Sequence, residues 1–275
     1  GVGIVKTVDD FGTQGEWPSH PELLDWLAVE LVESGWDIQH VLKLIVTSAT
    51  YRQTSNAAPE SFANDPENRL LARFPVRRVE AEAIRDSLLA VTSEIDRTVG
   101  GSLFTAQNKK RVTMLPNDQV YGSRRRSVYL PSVRVRGYEM FSIFDVSESG
   151  QHVAQRSQTM VAQQALFLMN NPFVVDRAKA LAGQVMKQSV SFDARADWLH
   201  RCLFGRPATA QEVSTLSAVF SALAEGEAAA GKDQAVRELS AWQHIIHHHI
   251  ASDLNCFSLL RPFSELKIIE RFAQY

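Results

Sequence analysis

Residues 77–86 read RRVEAEAIRD, and they open a helical pattern that runs on to about Asp96. The pattern rests on four apolar residues at three- and four-residue spacing, namely Ile84, Leu88, Val91 and Ile95. This spacing predicts a helix with one stripe facing a core. A helical wheel extended back to the start of the stretch places Arg77 and Glu80 beside that stripe. The sequence therefore predicts that both of these charged side chains are mostly buried.

A buried charge is costly unless another group neutralises it. We therefore expect at least one of Glu80, Glu82 and Asp86 to pair with an arginine from outside this helix. The leading partners are the arginines of other polar segments, namely Arg52, Arg69, Arg125 and Arg126. Together these groups predict a polar, arginine-rich centre in a helical domain.

The overall composition is that of a globular protein able to bury a sizeable core, with 45% apolar and 22% charged residues among 275. The net charge of −2 gives no general attraction toward nucleic acid or an anionic membrane, so neither is predicted as a partner. No apolar run approaches the roughly 20 residues that a membrane span needs. Cys202 and Cys256 belong to no C-x-x-C pair, which argues against c-type haem attachment and a thiolate zinc site. No cofactor is predicted in this chain.

Two helices near the start of the chain are predicted to pair as an antiparallel hairpin. The first begins near Pro21 and stops at Gly35, and the second begins after Asp37, whose side chain suits an N-cap. The face of the first helix that we expect to be buried consists of Leu23, Leu24, Trp26, Leu27 and Leu31. The apolar stripe of the second consists of Ile38, Val41, Leu42 and Ile45. Stripes of this kind normally face a core.

The second half of the chain contains further helix signals. Asn171, followed by proline, predicts a helix start, and Gly205 predicts a stop. Thr209 and Glu212 have the spacing of a capping box, which opens another helix. A last long helix is predicted from about Lys232.

Between about residues 100 and 160, glycines and prolines interrupt any helical period. Short strands at Val128–Leu130 and Ser132–Val135 predict a small ribbon at most. The predicted fold class is therefore mainly α, a multi-helix globular domain with an irregular insert near 100–160.

The largest local charge imbalance is basic and lies in the insert. Residues 109–136 contain one acidic residue, Asp118, and eight basic residues: Lys109, Lys110, Arg111, Arg124, Arg125, Arg126, Arg134 and Arg136. One interpretation is an anion site, with Tyr121, Tyr129 and Tyr138 available to stack on sugars or bases. The other is neutralisation of the carboxylates at 80, 82 and 86, which is favoured because buried charges are normally paired.

Four histidines near the end of the chain resemble a metal-binding group, namely His244, His247, His248 and His249. Three of them share a helical face, at positions 244, 247 and 248. No glutamate, aspartate or cysteine stands at a matching ligand spacing. We therefore predict that they form a solvated polar flank and hold no metal.

Several motifs appear in an order that matches a known family. They are GIVKTVDDFG (3–12), PSHPELLDWLA (18–28), TSATYRQTS (47–55), DPENRLLAR (65–73), RRVEAEAIRDSLLAV (77–91), GG (100–101), RRSVY (125–129), FDVSE (144–148), QALFLMNNPFV (164–174) and LFGRPAT (203–209). The chain resembles the planctomycete-type domain of unknown function 1553, a C-terminal domain of large proteins that often also carry a cytochrome-c-like domain. It departs from the usual pattern at Val8, at Gln163 and in the tail after Trp242.

The resemblance implies a family-like domain over residues 1–243 and a divergent tail over 244–275 that continues the last helix. It brings no agreed activity. It does imply a larger extracytoplasmic protein, periplasmic or secreted, in which any haem is held by another part. The partners that it implies are other domains of the same longer polypeptide.

Two functional classes stay open, so the sequence does not decide whether the chain is an enzyme. The first is a helical structural or partner-binding module. The second is a carbohydrate-acting or redox-associated enzyme module, with a glycan or small anion as ligand and clustered carboxylates for acid–base work. The candidate polar centre for either consists of Arg52, Arg69, Arg77, Glu80, Glu82, Asp86, Arg125, Arg126, Tyr129 and Asp145. Carboxylates lining an open cleft would favour the enzyme, and carboxylates sealed by arginine would favour the structural module.

Overall fold

The computed structural model describes residues 3–103, 121–132, 137–147, 150, 153–188, 191–229 and 231–253. Ten α-helices and no strands occur within these ranges, which confirms the prediction of a mainly α fold. The described residues divide into two compact units, one over residues 3–77 and one over residues 78–253. Within the described part of the chain, no helix combines the length and apolarity that a membrane span requires.

The first unit contains three helices: α1 (Pro21–Glu33), α2 (Ile38–Thr47) and α3 (Pro59–Asn64). Asp37 caps α2 as predicted, because its Oδ1 accepts hydrogen bonds from the backbone N–H groups of Gln39 and His40 at 2.9 and 3.1 Å. Gly35, at φ +73°, supplies the left-handed turn between α1 and α2. The two helices pack on each other, and His40 Nε2 lies 2.7 Å from Glu30 Oε1 across the pair.

The predicted burial of the apolar faces of this hairpin is wrong. None of the residues of α1, α2 or α3 is buried. Trp26 is 49% exposed, and Ile38 and Leu42 are 66% and 54% exposed. Leu27 and Leu31 of α1 and Val41 of α2 are half-buried, since the two helices cover each other only along their shared seam.

The second unit contains the remaining helices. They are α4 (Ala81–Val91), α5 (Glu139–Ile143), α6 (Ala162–Asn170), α7 (Pro172–Met186), α8 (Phe192–Phe204), α9 (Ala210–Ala229) and α10 (Gln234–Asp253). The predicted start signals are confirmed: Asn171 Oδ1 accepts from Phe173 N at 2.9 Å, and Thr209 and Glu212 form a reciprocal capping box. Gly205 ends α8 in the left-handed conformation, at φ +67°.

The predicted strand at Val128–Leu130 is wrong. Residues Ser127–Tyr129 instead form one turn of 3-10 helix. Residues 133–135 of the second predicted strand lie outside the described residues, as do Lys109, Lys110 and Arg111 of the basic segment.

The core of the second unit is built around α10, which packs on α7, α9 and α6. Trp242 is completely buried, with its ring stacked on Phe192 at a centroid distance of 5.2 Å and tilted against Phe220 at 5.3 Å. Ile245, Ile246 and Ile250 continue the same buried face one turn at a time. The helix runs through residue 243, and the proposed boundary between domain and tail at that point stays a prediction.

Substitution of Trp242 provides a test of this packing. Because the indole is wholly buried and surrounded, Trp242→Ala should lower the free energy of unfolding by about 3–5 kcal/mol. Val236→Ala on the same helix, at a site that is 49% exposed, should change it by no more than about 0.5 kcal/mol. Urea denaturation followed by circular dichroism measures both, and equal midpoints for the two variants would contradict the packing.

Candidate functional site

Helix α4 begins later than the sequence predicted, and this changes which charges are buried. Glu80 is the N-cap residue, with extended backbone at φ −68° and ψ 152°, so the helical wheel does not extend back to residue 77. Arg77 and Glu80 are both exposed, and their predicted burial is therefore wrong. Arg78 and Arg85 are buried in their place, at 7% and 1% exposure.

Arg85 joins α4 to the segment after residue 121. Its Nη1 donates to the carbonyl oxygen of Arg125 at 2.9 Å and to Ser127 Oγ at 3.2 Å, and its Nη2 donates to the carbonyl oxygen of Ser123. The carboxylate of Asp86 lies at 3.5 Å from Nη1. The charge of Arg85 is therefore solvated mainly by backbone carbonyl oxygens that come from outside helix α4.

Asp86 completes the same junction from the next position along the chain. Its carboxylate accepts from the backbone N–H of Ser127 at 2.8 and 3.1 Å and from Ser127 Oγ at 2.7 Å. Every one of these donors comes from the N-terminus of the 3-10 turn at 127–129. Asp86 therefore acts as a structural acceptor that fixes this turn on α4.

Arg125 and Tyr129 clamp the glycine pair that follows residue 99. Arg125 is buried and donates to the carbonyl oxygens of Thr98, at 2.8 Å, and Gly100. Its guanidinium lies 4.0 Å from the ring centroid of Tyr129, over which Arg126 also lies at 5.6 Å. The Tyr129 hydroxyl accepts from Gly100 N at 3.0 Å, and this hydrogen bond is the largest cause that lowers its pKa below the usual value.

Arg78, which is buried, forms an ion pair with the half-buried Asp145. Arg78 Nη2 donates to the Asp145 carboxylate and, at 3.3 Å, to the carbonyl oxygen of Phe144. Thr159 donates to the same carboxylate from its backbone N–H and from its hydroxyl, each at 2.8 Å. Asp145 has a φ of +61°, a conformation that is uncommon outside glycine. These donors surround the carboxylate and hold the strained residue in place.

Gln164 makes hydrogen bonds to the backbone near Asp145 and Thr159. Its side chain is 2% exposed, and its Nε2 donates to the carbonyl oxygens of Ile143 and Thr159 at 3.1 and 3.2 Å. The buried side-chain amide of Gln164 therefore links the backbone just before Asp145 to the backbone at Thr159.

The expected pairing of an α4 carboxylate with an outside arginine is confirmed, through Arg156. Its Nη1 lies 2.9 Å from Glu82 Oε2 and 3.3 Å from Glu80 Oε2. The hydrogen bond to Glu82 is the main cause that raises the pKa of Arg156. Arg156 was not among the leading candidates, because nothing in its local sequence distinguishes it from a surface arginine.

Arg52 and Arg69 belong to the first unit, where both are exposed. The sequence did not predict one further group of ion pairs, in which Glu94 pairs with Arg177 and, at 3.3 Å, with Arg124. The sequence signal for it was weak, since an acidic residue just after a helix is common at surfaces.

One small crevice adjoins the Arg78–Asp145 pair, with an empty volume of about 240 Å³ out to open solvent. It is lined by Arg78, Val79, Glu80, Phe144, Asp145, Arg156, Ser157 and Gln158. Its two arginines are matched by two carboxylates, so the charge available to an external anion is largely cancelled.

The histidines near the end of α10 point in different directions. His247 Nε2 lies 3.0 Å from the carbonyl oxygen of Leu168, and His244 Nδ1 lies 2.8 Å from that of Ser240. Among the described residues, no group of three His, Cys, Asp or Glu side chains is arranged to hold a metal ion. The metal-free assignment stays a prediction, and Cys256 lies outside the described residues.

A different histidine is buried where α8, α9 and α10 meet. His200 is 2% exposed, its Nε2 lies 3.8 Å from Glu212 Oε2, and its ring contacts those of Phe204 and His249. Desolvation lowers the pKa of His200 below its usual 6.5. Glu212 is held by Arg206 at 2.5 and 2.8 Å, and these bonds keep the pKa of Glu212 well below its usual range.

The buried histidine predicts a pH dependence of stability. Because its folded-state pKa is depressed, the unfolded chain binds the proton first, and stability falls as pH drops below 6.5. The loss from one proton is at most about 1.4 kcal/mol per pH unit. Thermal unfolding of the parent chain and of His200→Gln between pH 7.5 and 5 measures it. The variant should show the flatter profile, and parallel profiles would refute the assignment.

The buried arginine gives a second prediction. Arg85→Ala removes the donors for three backbone or hydroxyl acceptors and leaves Asp86 without its neighbouring cation, so it should cost about 3–5 kcal/mol. Glu80→Ala, at a side chain that is 61% exposed, should cost no more than about 0.5 kcal/mol. Chemical denaturation of both variants is the measurement, and a larger loss for Glu80→Ala would contradict the burial pattern.

Comparisons with known proteins agree with the motifs. A family model described as PSD1, a protein of unknown function (DUF1553), matches residues 1–220. Neither the curated proteins nor the solved structures gave a significant match. The family match covers most of the chain and includes all of the polar contacts made by α4. The chain therefore belongs to the PSD1 family of proteins of unknown function, DUF1553.

Proposed function

We propose that this chain is a non-catalytic helical module of a larger extracytoplasmic protein, with its ion pairs serving to hold the fold together. The observation that carries the proposal is that donors from this chain already occupy the candidate carboxylates. Asp86 accepts from Ser127, Asp145 from Arg78 and Thr159, and Glu82 from Arg156. The extracytoplasmic location, and the other domains of a longer polypeptide as partners, are part of this proposal and rest on the family resemblance.

Hydrogen bonds hold four carboxylates outside the candidate polar centre in their charged form. A general acid for glycan hydrolysis needs a carboxyl with a raised pKa. The described carboxyls whose pKa clearly departs from the ordinary value are Asp65, Asp96, Asp197 and Glu212, and in all four it is lowered by hydrogen bonds. These four carboxyls are therefore suited to act as charged structural acceptors and not as the general acid.

The thiol chemistry supports the same conclusion. Cys202 is half-buried, and burial raises the pKa of its thiol. A redox-active cysteine normally has a lowered pKa, because the thiolate is the reactive form. The environment of Cys202 is that of a packed side chain.

The decisive experiment separates a structural from a catalytic role at the same positions. Asp86→Asn and Asp145→Asn should each lower the melting temperature by several degrees, because neutral amides lose charge-assisted bonds and add unmatched donors. Glu225→Gln at an exposed position of α9 is the control and should melt like the parent chain.

The same preparations should be screened for hydrolysis of a glycan panel and for binding of small anions such as phosphate and acetate. We expect no turnover and no saturable binding by the parent chain. Turnover that disappears in Asp86→Asn while the melting temperature stays unchanged would overturn the proposal.

A further inference from the structure

The end of helix α10 meets helix α8 through a group of aromatic and imidazole rings. The centroid of the His249 ring lies 5.9 Å from that of His200 and 5.5 Å from that of Phe204, and the rings meet edge to face. His200 is 2% exposed, and His249 is half-buried against it. His249 is therefore one of the groups that shield the His200 ring from water.

The carboxylate nearest to His200 is already neutralised by another cation. Glu212 Oε2, on α9, lies 3.8 Å from His200 Nε2. The same carboxylate accepts hydrogen bonds from Arg206 at 2.5 and 2.8 Å and from the backbone N–H of Thr209 at 2.8 Å. If His200 bound a proton, it would share one negative charge with Arg206.

The other charged and titratable groups around His200 do not balance such a proton. Asp197, three residues earlier on α8, pairs with Arg201 at 2.7 Å. On the α10 side the facing group is His249, with the exposed His248 beside it at a ring-centroid distance of 6.1 Å. A proton on either of these two rings would add positive charge. Among the described residues, a charge on His200 is therefore left without a carboxylate of its own.

The buried imidazole of His200 consequently favours its neutral form. Moving a charged group out of water costs free energy. Desolvation is the main cause that lowers the pKa of His200 below its usual 6.5. An opening that lets water reach the ring relieves this cost, so acid favours that opening.

The contacts of the three helices indicate which part can open. Helices α8 and α9 are fastened together near their turn, where Asp197 Oδ1 accepts from the backbone N–H of Ala208 at 3.1 Å. The first part of α10 is fastened as well, because Glu238 pairs with Arg195 of α8 at 3.5 Å and Trp242 is completely buried. These contacts do not involve His200.

The last contact of α10 that acid preserves is made by His247. Its Nε2 donates to the carbonyl oxygen of Leu168 at 3.0 Å, and a protonated imidazole can donate the same hydrogen bond. Beyond it, the helix is held by the ring contacts of His249 and by the buried side chain of Ile250. The segment that acid can release therefore begins after His247.

We propose that residues 248–253, the end of α10, form an acid-released latch, which packs on α8 while His200 is neutral and leaves it when His200 binds a proton. Release exposes His200 and Ile250, while the packing around Trp242 stays in place. Protonation of a buried histidine at an interface of this kind is a known way to switch packing. The latch does not depend on the proposed role of the ion pairs around α4.

Hydrogen exchange of the full chain at pH 7.5 and 5.5, corrected for intrinsic rates, tests the latch. The protection factors of residues 248–253 should fall several-fold on acidification, and by at most about tenfold, because one proton is bound over the single pH unit below 6.5. Low concentrations of urea should hardly change exchange in these residues, because a local opening exposes little surface. His200→Gln should remove the effect of pH.

Two further variants complete the test. His244→Gln changes an exposed histidine of the same helix and should keep the response of the parent chain. His200→Phe keeps a ring against Phe204 but cannot bind a proton, and it replaces His200→Gln if that variant does not fold.

Three results would overturn the latch. The first is equal protection of residues 248–253 at the two pH values in the parent chain. The second is a fall on acidification that persists without the imidazole of His200. The third is exchange in 248–253 that accelerates with urea as steeply as exchange in α7, because His200 would then be exposed only by unfolding of the whole unit.

Discussion

The buried guanidinium of Arg85, on helix α4, is the constraint on which the second unit depends. Arg85 is 1% exposed, so water cannot solvate its charge. Its acceptors are backbone carbonyls at 123 and 125 and the hydroxyl of Ser127. These groups lie about 40 residues further along the chain, and each must be brought to α4 before the charge can be buried. Residues 123–127 are thereby held on α4 by polar contacts.

The other polar contacts of this unit follow the same rule. Asp145, Glu82 and Glu94 each pair with an arginine at least 67 residues away in sequence. Breaking a largely buried pair such as Arg78–Asp145 from one side leaves an uncompensated charge, which costs more than the pair contributes when intact. Several long-range pairs of this kind specify one arrangement of the segments, while α7, α9 and α10 supply the apolar core.

The sequence was sufficient for features that depend on local chemistry. Asp37, Asn171 and the pair Thr209–Glu212 act as predicted, because a cap is satisfied within three residues of itself. The wheel through Arg77 failed for a related reason. Helix α4 starts at Ala81, and a start four residues too early rotates every preceding side chain to the wrong face. Arg156 and Arg177 were missed because pairs that meet across 74 or 83 residues leave no pattern in either local sequence.

The boundary of the family match and the boundary of the packed unit also differ, for a physical reason. The match to the family model ends at residue 220, yet the most enclosed aromatic side chain among the described residues of the second unit is Trp242. Helix α10 contacts α6, α7 and α9, and without it the inner faces of those helices would be open to water. Leu168, Leu181 and Val185 are fully buried, and they belong to one apolar cluster with Trp242, Ile245 and Ile246 of α10. The folding unit must therefore extend beyond the residues that identify the family, through at least Ile250.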